Sequence, residues 1–351
     1  MLKQLKDRPG FWTGTGPSIE TVLSTRVRLA RNLPAIPFPH RMTTSEALMV
    51  WENMRGYLQR SDLSPLPPFL EMDSLSFPEK RFLRERNLIT SEMEENEYGA
   101  VIFDREQKFS ILINEEDHVR VQVLRPGLQP LDAYQEANRL DDSINRDVPF
   151  VFTDDLGYLT ACPSNVGTGL KVSGLLHLPA LVLKRRSASL MGKVEKNGFS
   201  ILRLGDESTR QQTGLFLISS RGSLGVSEYD LIETFDELVS RIIELEDTTR
   251  DELYGSSRHE IEDMIWRSYG IMTHARNITY SEAMEHLSNV RLGVILAVIR
   301  NISIQEINDL MVTVQPYHLD TATPEEDSME NPEGHLRAAF IRKKLTGGGG
   351  A

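Results

Sequence analysis

Glu115, Glu116 and Asp117 stand side by side in the run ILINEEDHVRVQ (residues 111–122), followed by His118 and, two places on, Arg120. The flanks alternate in the manner of a β-strand, where acids are disfavoured and adjacent carboxylates repel. If the segment is extended, Glu116, His118 and Arg120 face one side and Glu115 and Asp117 the other. Glu116 and Arg120 then lie roughly 13 Å apart at about 3.3 Å per residue. A carboxylate that can act as a base, and an arginine at that distance, suit a row of phosphates lying between them. A charged edge strand kept soluble is an equally good reading of this segment alone.

Three further stretches carry groups of the same kind. In STRVRLARN (24–32), Arg26 and Arg28 share a strand face and Arg31 lies beyond them. Gathered arginines favour phosphate because each guanidinium can bind it with two parallel hydrogen bonds; a basic surface strand is the plainer alternative. LTACPSNVGTGLKVSGLLHLPAL (159–181) holds the lone cysteine, Cys162, then a Gly-Thr-Gly turn at 167–169 closed by Lys171. A thiol beside arginines ionises readily, although a single cysteine is more often a small core residue. LRLGDESTRQQTG (202–214) is a polar loop between two strands, in which Arg203, Asp206 and Glu207 could close over a ligand. By itself it reads as a solvated loop.

The elements that must position these residues change character along the chain. Residues 43–60 read as a helix, with Thr43 and Glu46 at capping-box spacing and Leu48, Trp51 and Leu58 as its apolar stripe. SPLPPF (64–69) breaks it. Short strands follow in AVIFD, FSILIN and HVRVQVL, the first two joined by a hairpin through Arg105–Lys108, and β character continues at 150–161, 198–204 and 213–219. Helical stretches at 131–146 and 179–196 lie between the strands. Sequential hairpins with interspersed helices predict an α+β fold. From Ser227 the chain turns helical, and Ser303 with Glu306 opens one of the later helices as a capping box, with Ile302 and Ile307 placed as a staple. Residues 320–334 hold six acids and no Lys or Arg, as a solvated linker would. Asn331-Pro332-Glu333 then opens a last helix, and the GGGGA end reads as a flexible tail.

Composition narrows the function. The chain has 351 residues, 40% hydrophobic and 26% charged, within the range of globular proteins. A net charge of −12 argues against general nucleic-acid binding. No apolar run approaches the roughly 20 residues of a membrane span, and the first residues lack the apolar core of a signal peptide. One cysteine suits a reducing compartment, so a cytoplasmic location is expected. There is no P-loop and no His-Arg-Asp or Asp-Phe-Gly pair, and the eight histidines are dispersed without zinc spacing.

NEEDHVR, CPSNVGTGLK and STRVRLAR, in the order in which they occur, resemble the motifs of the phosphagen (guanidino) kinases over about residues 21–248. Within that family the chain is most similar to the bacterial protein-arginine kinases. The arginine motif starts at residue 24, which leaves no space ahead of it for the small-guanidine kinases' N-domain of roughly 100 residues, a domain's worth. A helical region of similar size follows the catalytic part instead. The resemblance implies a large, mainly antiparallel sheet flanked by helices, with a short segment over 1–20, a catalytic domain over 21–248, a helical dimerisation and substrate-docking domain over 249–345 and a tail over 346–351. It implies transfer of phosphoryl from Mg²⁺-bound ATP to protein arginines in stress response and quality control. Glu116 and Glu207 would be the catalytic carboxylates, with Cys162 against the guanidino group. The nucleotide would be held by Ser24, Thr25, Arg26, Val27, Arg28, Asn87, Arg120, Lys171, Val172, Ser173, Gly174, Leu175 and the stretch Leu202, Arg203, Leu204, Gly205, Asp206, Glu207. No residue would hold the metal directly, Glu115 and Asp117 reaching it through water. A homodimer, an activator protein and an AAA+ protease system are the implied partners.

The chain departs from the family at Asn87, where a histidine is frequent, and at Lys171, where an arginine is usual. The family's Arg-Asp-x-x-Arg-Ala pocket for phosphoarginine is reduced to Glu333-Gly334-His335-Leu336-Arg337-Ala338. Two alternatives remain open: a kinase of a small free guanidine such as arginine, and a non-catalytic adaptor for arginine-rich or phosphoarginine proteins.

Overall fold

The computed structural model of the chain describes residues 5, 8–63, 65–205, 213–319 and 332–346. The α+β expectation is met by an eight-stranded sheet in which every pairing is antiparallel. Its strands are β1 (Val22–Arg31), β2 (Phe69–Glu71), β3 (Ala100–Phe103), β4 (Phe109–Ile113) and β5 (Val119–Pro126). After a small separate hairpin, β6 (Phe152–Thr153) and β7 (Gly157–Tyr158), come β8 (Leu170–His177), β9 (Phe199–Leu204) and β10 (Leu215–Ser220). The spatial order is β2-β3-β4-β5-β1-β8-β10-β9, which puts the arginine strand β1 at the centre.

The helices are α1 (Thr44–Arg60), α2 (Phe77–Glu85), α3 (Ser91–Glu94), α4 (Pro130–Asp147), α5 (Pro179–Leu183), α6 (Ser187–Lys196) and α7 (Glu228–Ser256). The C-terminal group is α8 (Arg258–His274), α9 (Tyr280–Ile295), α10 (Ile304–Thr313) and α11 (Pro332–Thr346). The capping boxes at Thr43–Glu46 and Ser303–Glu306 are both formed. Two details differ from expectation. Leu48 is 41% exposed, because the buried stripe of α1 runs through Ala47, Val50, Trp51, Met54, Tyr57 and Leu58, about 100° around the helix from it. The stretch 179–196 is two helices rather than one, broken where Arg185 adopts a left-handed φ of 56°.

The two faces of the sheet have opposite chemistry, as the strand period of two dictates. Val27 and Leu29 of β1, Val121 and Val123 of β5, Val172 of β8 and Phe216 of β10 point to one side. There they pack on Trp51 and Met54 of α1, Ala137 and Leu140 of α4, and Phe235 and Val239 of α7. On the other side α2 and α3 cover β3 and β4 through Phe82, Leu83 and Met93. The C-terminal helices cover Leu23 and Leu215 at the opposite end through Leu287, Leu310 and Met311. Between these two covers the middle of the face carries Arg26, Arg28, Arg120, Gln122, Lys171 and Ser173, all on one side by register. A strip of polar side chains thus runs between two apolar packing units. Helix α7 links the core on the opposite face of the sheet, through Phe235, to the C-terminal unit, through Leu253.

Candidate active site

The acidic run is not extended. β4 ends at Ile113 and β5 begins at Val119, and residues 114–118 are the turn between them. The Asn114 N–H donates to the His118 carbonyl (2.9 Å) and the Glu115 N–H to the Asp117 carbonyl (3.1 Å). Instead of standing ~13 Å from Glu116 as an extended strand would require, Arg120 bonds it at 2.7 Å and Glu115 at 2.5 Å. In the turn Glu115 and Glu116 share Arg120, one on each terminal nitrogen, while Asp117 turns away to Asn32 and Ala161.

Each acid then has a distinct place. Glu115 is buried, taking the Thr90 hydroxyl (2.6 Å) as well as Arg120. Asp117 is fully buried and its Oδ1 accepts from Asn32 Nδ2 and the Ala161 N–H, both at 2.7 Å, so it clamps β1 to the Cys162 loop rather than facing the cavity. Burial pushes its carboxyl above the usual range. Glu116 alone of the three keeps an accessible side chain, 41% exposed. His118, held neutral by burial, accepts from the Leu33 N–H (3.0 Å) and donates Nε2–H to the Pro37 carbonyl (2.7 Å).

A cavity of about 440 Å³ opens over this turn, lined by Arg28, Arg120, Lys171, Glu115, Glu116 and Cys162 among others. Burial, then mutual repulsion, lowers the cations: Arg26 to about 10, with Arg120 as the main repelling charge, and Arg28 and Lys171 in the same direction. Arg28 Nε has no partner among the described residues, and Arg26 Nε reaches only Ser173 Oγ at 3.4 Å. Cations packed so closely that they depress one another, with buried donors to spare, fit a polyanion. Arg31, by contrast, is structural: it pairs with Asp141 of α4 at 2.9 Å and lies 3.5 Å over the Tyr158 ring.

Cys162 sits at the rim, its Sγ 3.0 Å from Ser164 Oγ. The Gly-x-Gly turn beside it is a steric necessity. A Cβ at Gly167 (φ 113°) would meet the Ser223 carbonyl at 2.6 Å, and one at Gly169 (φ 64°) the Ala30 carbonyl at 2.6 Å. Ser164 and Asn165, beside Cys162 in its motif, also line the cavity, and so do Thr90 and Glu92, which had no distinguishing pattern in sequence and are brought there from another segment by folding.

The remaining expected nucleotide residues divide by position. Asn87, Leu175, Leu204 and Gly205 line a second, larger cavity of about 850 Å³ at the apolar end of the same strip, closed by Tyr280 and Met311 of the helical region. Ser24 stands opposite Leu175, and Ser173 opposite Arg26. Val27 and Val172 send their side chains into the core, so only their backbone is available, and Thr25 donates its hydroxyl to the Gly127 carbonyl. Gly174 is packed against Phe235. Leu202 is exposed. Arg203 is paired in register with the core residue Phe216, hence on the opposite side of the sheet from Arg26 and Arg28. Asp206 and Glu207 lie outside the described residues. At the C-terminus, Arg337 is buried, donating to the carbonyls of Val314 (2.8 Å) and Ile278 (3.1 Å) and pairing with Glu333. The Gly334 carbonyl accepts from the Ile278 N–H, and Ala338 is in the helical core. No helix among the described residues is long and apolar enough to cross a membrane.

Comparison with known proteins gives the family and the fold. The ATP:guanido phosphotransferase C-terminal catalytic domain matches residues 50–249, and the protein-arginine kinase McsB C-terminal domain matches residues 258–348. The protein-arginine kinase of Bacillus velezensis is 36% identical over 94% of this chain and 91% of that protein. The protein-arginine kinase of Symbiobacterium thermophilum is 38% identical over 95% of both. Among solved structures, a lombricine kinase superposes with a TM-score of 0.58 at 22% identity, covering 65% of this chain and 67% of that one. A duplicated taurocyamine kinase from Schistosoma mansoni gives 0.60 at 21%, covering 76% of this chain and 39% of that one, so these two share the fold. The chain belongs to the ATP:guanido phosphotransferase family, in its protein-arginine kinase branch.

Proposed function

We propose that the protein transfers the γ-phosphoryl group of ATP to arginine side chains of other proteins. The observation that carries this reading is Glu116, the one accessible carboxylate of its turn, standing at the edge of a cavity whose other charged walls include Arg28, Arg120 and Lys171. A guanidinium, with a pKa above 12, cannot attack phosphorus until a base takes a proton from it. Glu116 accepts that proton as the guanidino nitrogen bonds to Pγ and the Pγ–O bond to the leaving ADP breaks; the products are ADP and phosphoarginine. Arg26, Arg28, Arg120 and Lys171 hold the phosphates in line and offset their charge, which is most of what phosphoryl transfer requires. The base lies at the apolar end of the strip, on Leu175 and Leu204, so the strip's change from charged to apolar sets the orientation of the nucleotide.

Glu207 belongs to this reading as a second carboxylate and Cys162 as a contact of the guanidino group. Mg²⁺ enters with the triphosphate and supplies charge neutralisation. Family membership supports ATP as the phosphoryl donor and proteins as acceptors. Residues 249–345 as a dimerising, substrate-docking domain, a cytoplasmic setting, a role in stress response, and an activator and AAA+ protease as partners complete the proposal.

The test is incubation with Mg-ATP and an unfolded protein, and separately with free arginine, followed by acid treatment and mass spectrometry. Acid-labile phosphate on protein arginines is expected, since a P–N bond hydrolyses in acid. Label on free arginine alone would overturn protein arginine as the substrate, and absence of label from both would overturn the enzymatic reading.

A further inference from the structure

Two cavities meet at the acidic turn. Beside the cation-lined one lies a smaller cavity of about 290 Å³, lined by Pro39, His40, Asn96, Glu115, Glu116 and Ala161. Glu115 and Glu116 belong to both linings. Glu115 is held beneath the turn by Thr90 and Arg120, which leaves Glu116 as the accessible carboxylate between the two spaces.

The smaller cavity is built onto the turn from both sides. The loop carrying Pro39 and His40 is tied to it by His118, through Leu33 and Pro37, and the His40 ring lies nearly parallel to that of Phe38, with centroids 6.3 Å apart. On the other wall the Asn96 side-chain amide donates to the Asn114 carbonyl within the turn, and its oxygen accepts from the Tyr98 N–H. The two spaces differ in charge. The larger lining sets Arg28, Arg120 and Lys171 against Glu92, Glu115 and Glu116, whereas the smaller contains two acids and neither Lys nor Arg. A guanidinium approaching through the larger cavity would pass three cations and compete with the triphosphate for space. Approaching through the smaller one it meets carboxylates first.

We propose that the smaller cavity is the entry for the acceptor arginine. The acceptor polypeptide passes over Pro39, His40 and Asn96, its arginine side chain runs past Ala161, and the guanidinium reaches Glu116 from the side opposite the triphosphate. This rests on the proposed protein-arginine kinase activity and adds what that activity leaves open, the side from which the acceptor arrives. It makes His40, an exposed residue outside the family motifs, a determinant of acceptor binding.

The experiment uses the full chain, Mg-ATP and a synthetic peptide with a single arginine among glycines and alanines, and compares wild type with His40→Lys, His40→Glu and His40→Trp. His40→Lys should raise the KM for the peptide severalfold and His40→Glu should lower it, opposite signs that a folding defect cannot produce. His40→Trp, which fills the cavity, should raise it about tenfold or more. The KM for ATP should stay within about twofold in all three, because only acceptor binding is touched. A wild type that labels the peptide, with three variants sharing its peptide KM, would overturn the entry route and leave the activity standing. A wild type that puts no acid-labile phosphate on the peptide or on a protein would instead overturn the activity on which the route depends.

Discussion

At the scale of single residues, neighbours of the same chemical type have been given unlike work. Glu115 braces Arg120, Asp117 clamps the Cys162 loop, and Glu116 is left with an accessible carboxylate. Glu116→Gln keeps shape and volume while removing the base. It is expected to lower kcat by roughly 10²–10⁴-fold with the melting temperature unchanged, since the side chain is partly exposed. Phosphorylation kinetics and a thermal melt on the same preparation check both halves. Lys171 is a point charge among arginines, and its ammonium is lowered first by burial and then by Arg28, Arg120 and Arg26. Lys171→Ala should therefore raise the KM for ATP by about tenfold, the value of one good charge-assisted contact, while leaving the peptide KM in place. An unchanged KM for ATP would remove Lys171 from the phosphate site.

At the scale of elements, short segments are held by buried polar groups rather than by their own propensity. Helix α5 has five residues, and the N–H groups of Ala180 and Leu181 in its first turn bond the carboxylate of Glu246 on α7 at 2.8 and 3.1 Å. Burial outweighs these two bonds and Arg250, and lifts Glu246 from 4.5 to about 7. A carboxyl whose folded pKa is raised contributes stability that is complete below the unfolded value and is lost as pH rises through the folded one. Urea unfolding of wild type should accordingly lose roughly 2–3 kcal/mol between pH 5 and pH 8 relative to Glu246→Gln. A difference between the two proteins that does not change with pH would refute this.

At the scale of the whole molecule, the catalytic sheet and the helical region are joined by buried arginines. Arg291 of α9 is fully buried, donating to Asn308 Oδ1 (2.9 Å), to the carbonyls of Glu20 (2.7 Å) and Ile19 (2.5 Å) and to His177 Nδ1 (2.8 Å). One side chain thus joins β8, α10 and the segment leading into β1. Arg86 does similar work, reaching the carbonyls of Leu5 (2.6 Å) and Arg8 (2.7 Å) and also His318 (3.0 Å). Arg291→Ala leaves several buried acceptors unpaired and should cost about 3 kcal/mol or more. The large cavity at the apolar end has walls from both regions, so the same variant should also weaken nucleotide binding. Chemical denaturation and ADP titration would show this, and a loss of stability with nucleotide affinity intact would place the base elsewhere.

The residues themselves pointed to the chemistry and to much of the secondary structure. The alternation of Arg26 and Arg28 with Val27 and Leu29 is local, set by the two-residue strand period, and so are the capping boxes at Thr43 and Ser303. The motif wording was enough to point to the family. Tertiary structure alone decided which of three adjacent acids stays accessible, because burial and hydrogen-bond partners come from Thr90, Asn32 and Ala161, far away in sequence. It alone turned Arg86 and Arg291, and also Arg337, whose motif pointed to a ligand pocket, into buried bolts, since a guanidinium is buried only where distant carbonyls converge on it. It alone placed a second cavity behind Glu116, because a cavity is the space that packing leaves between segments and has no residue pattern of its own.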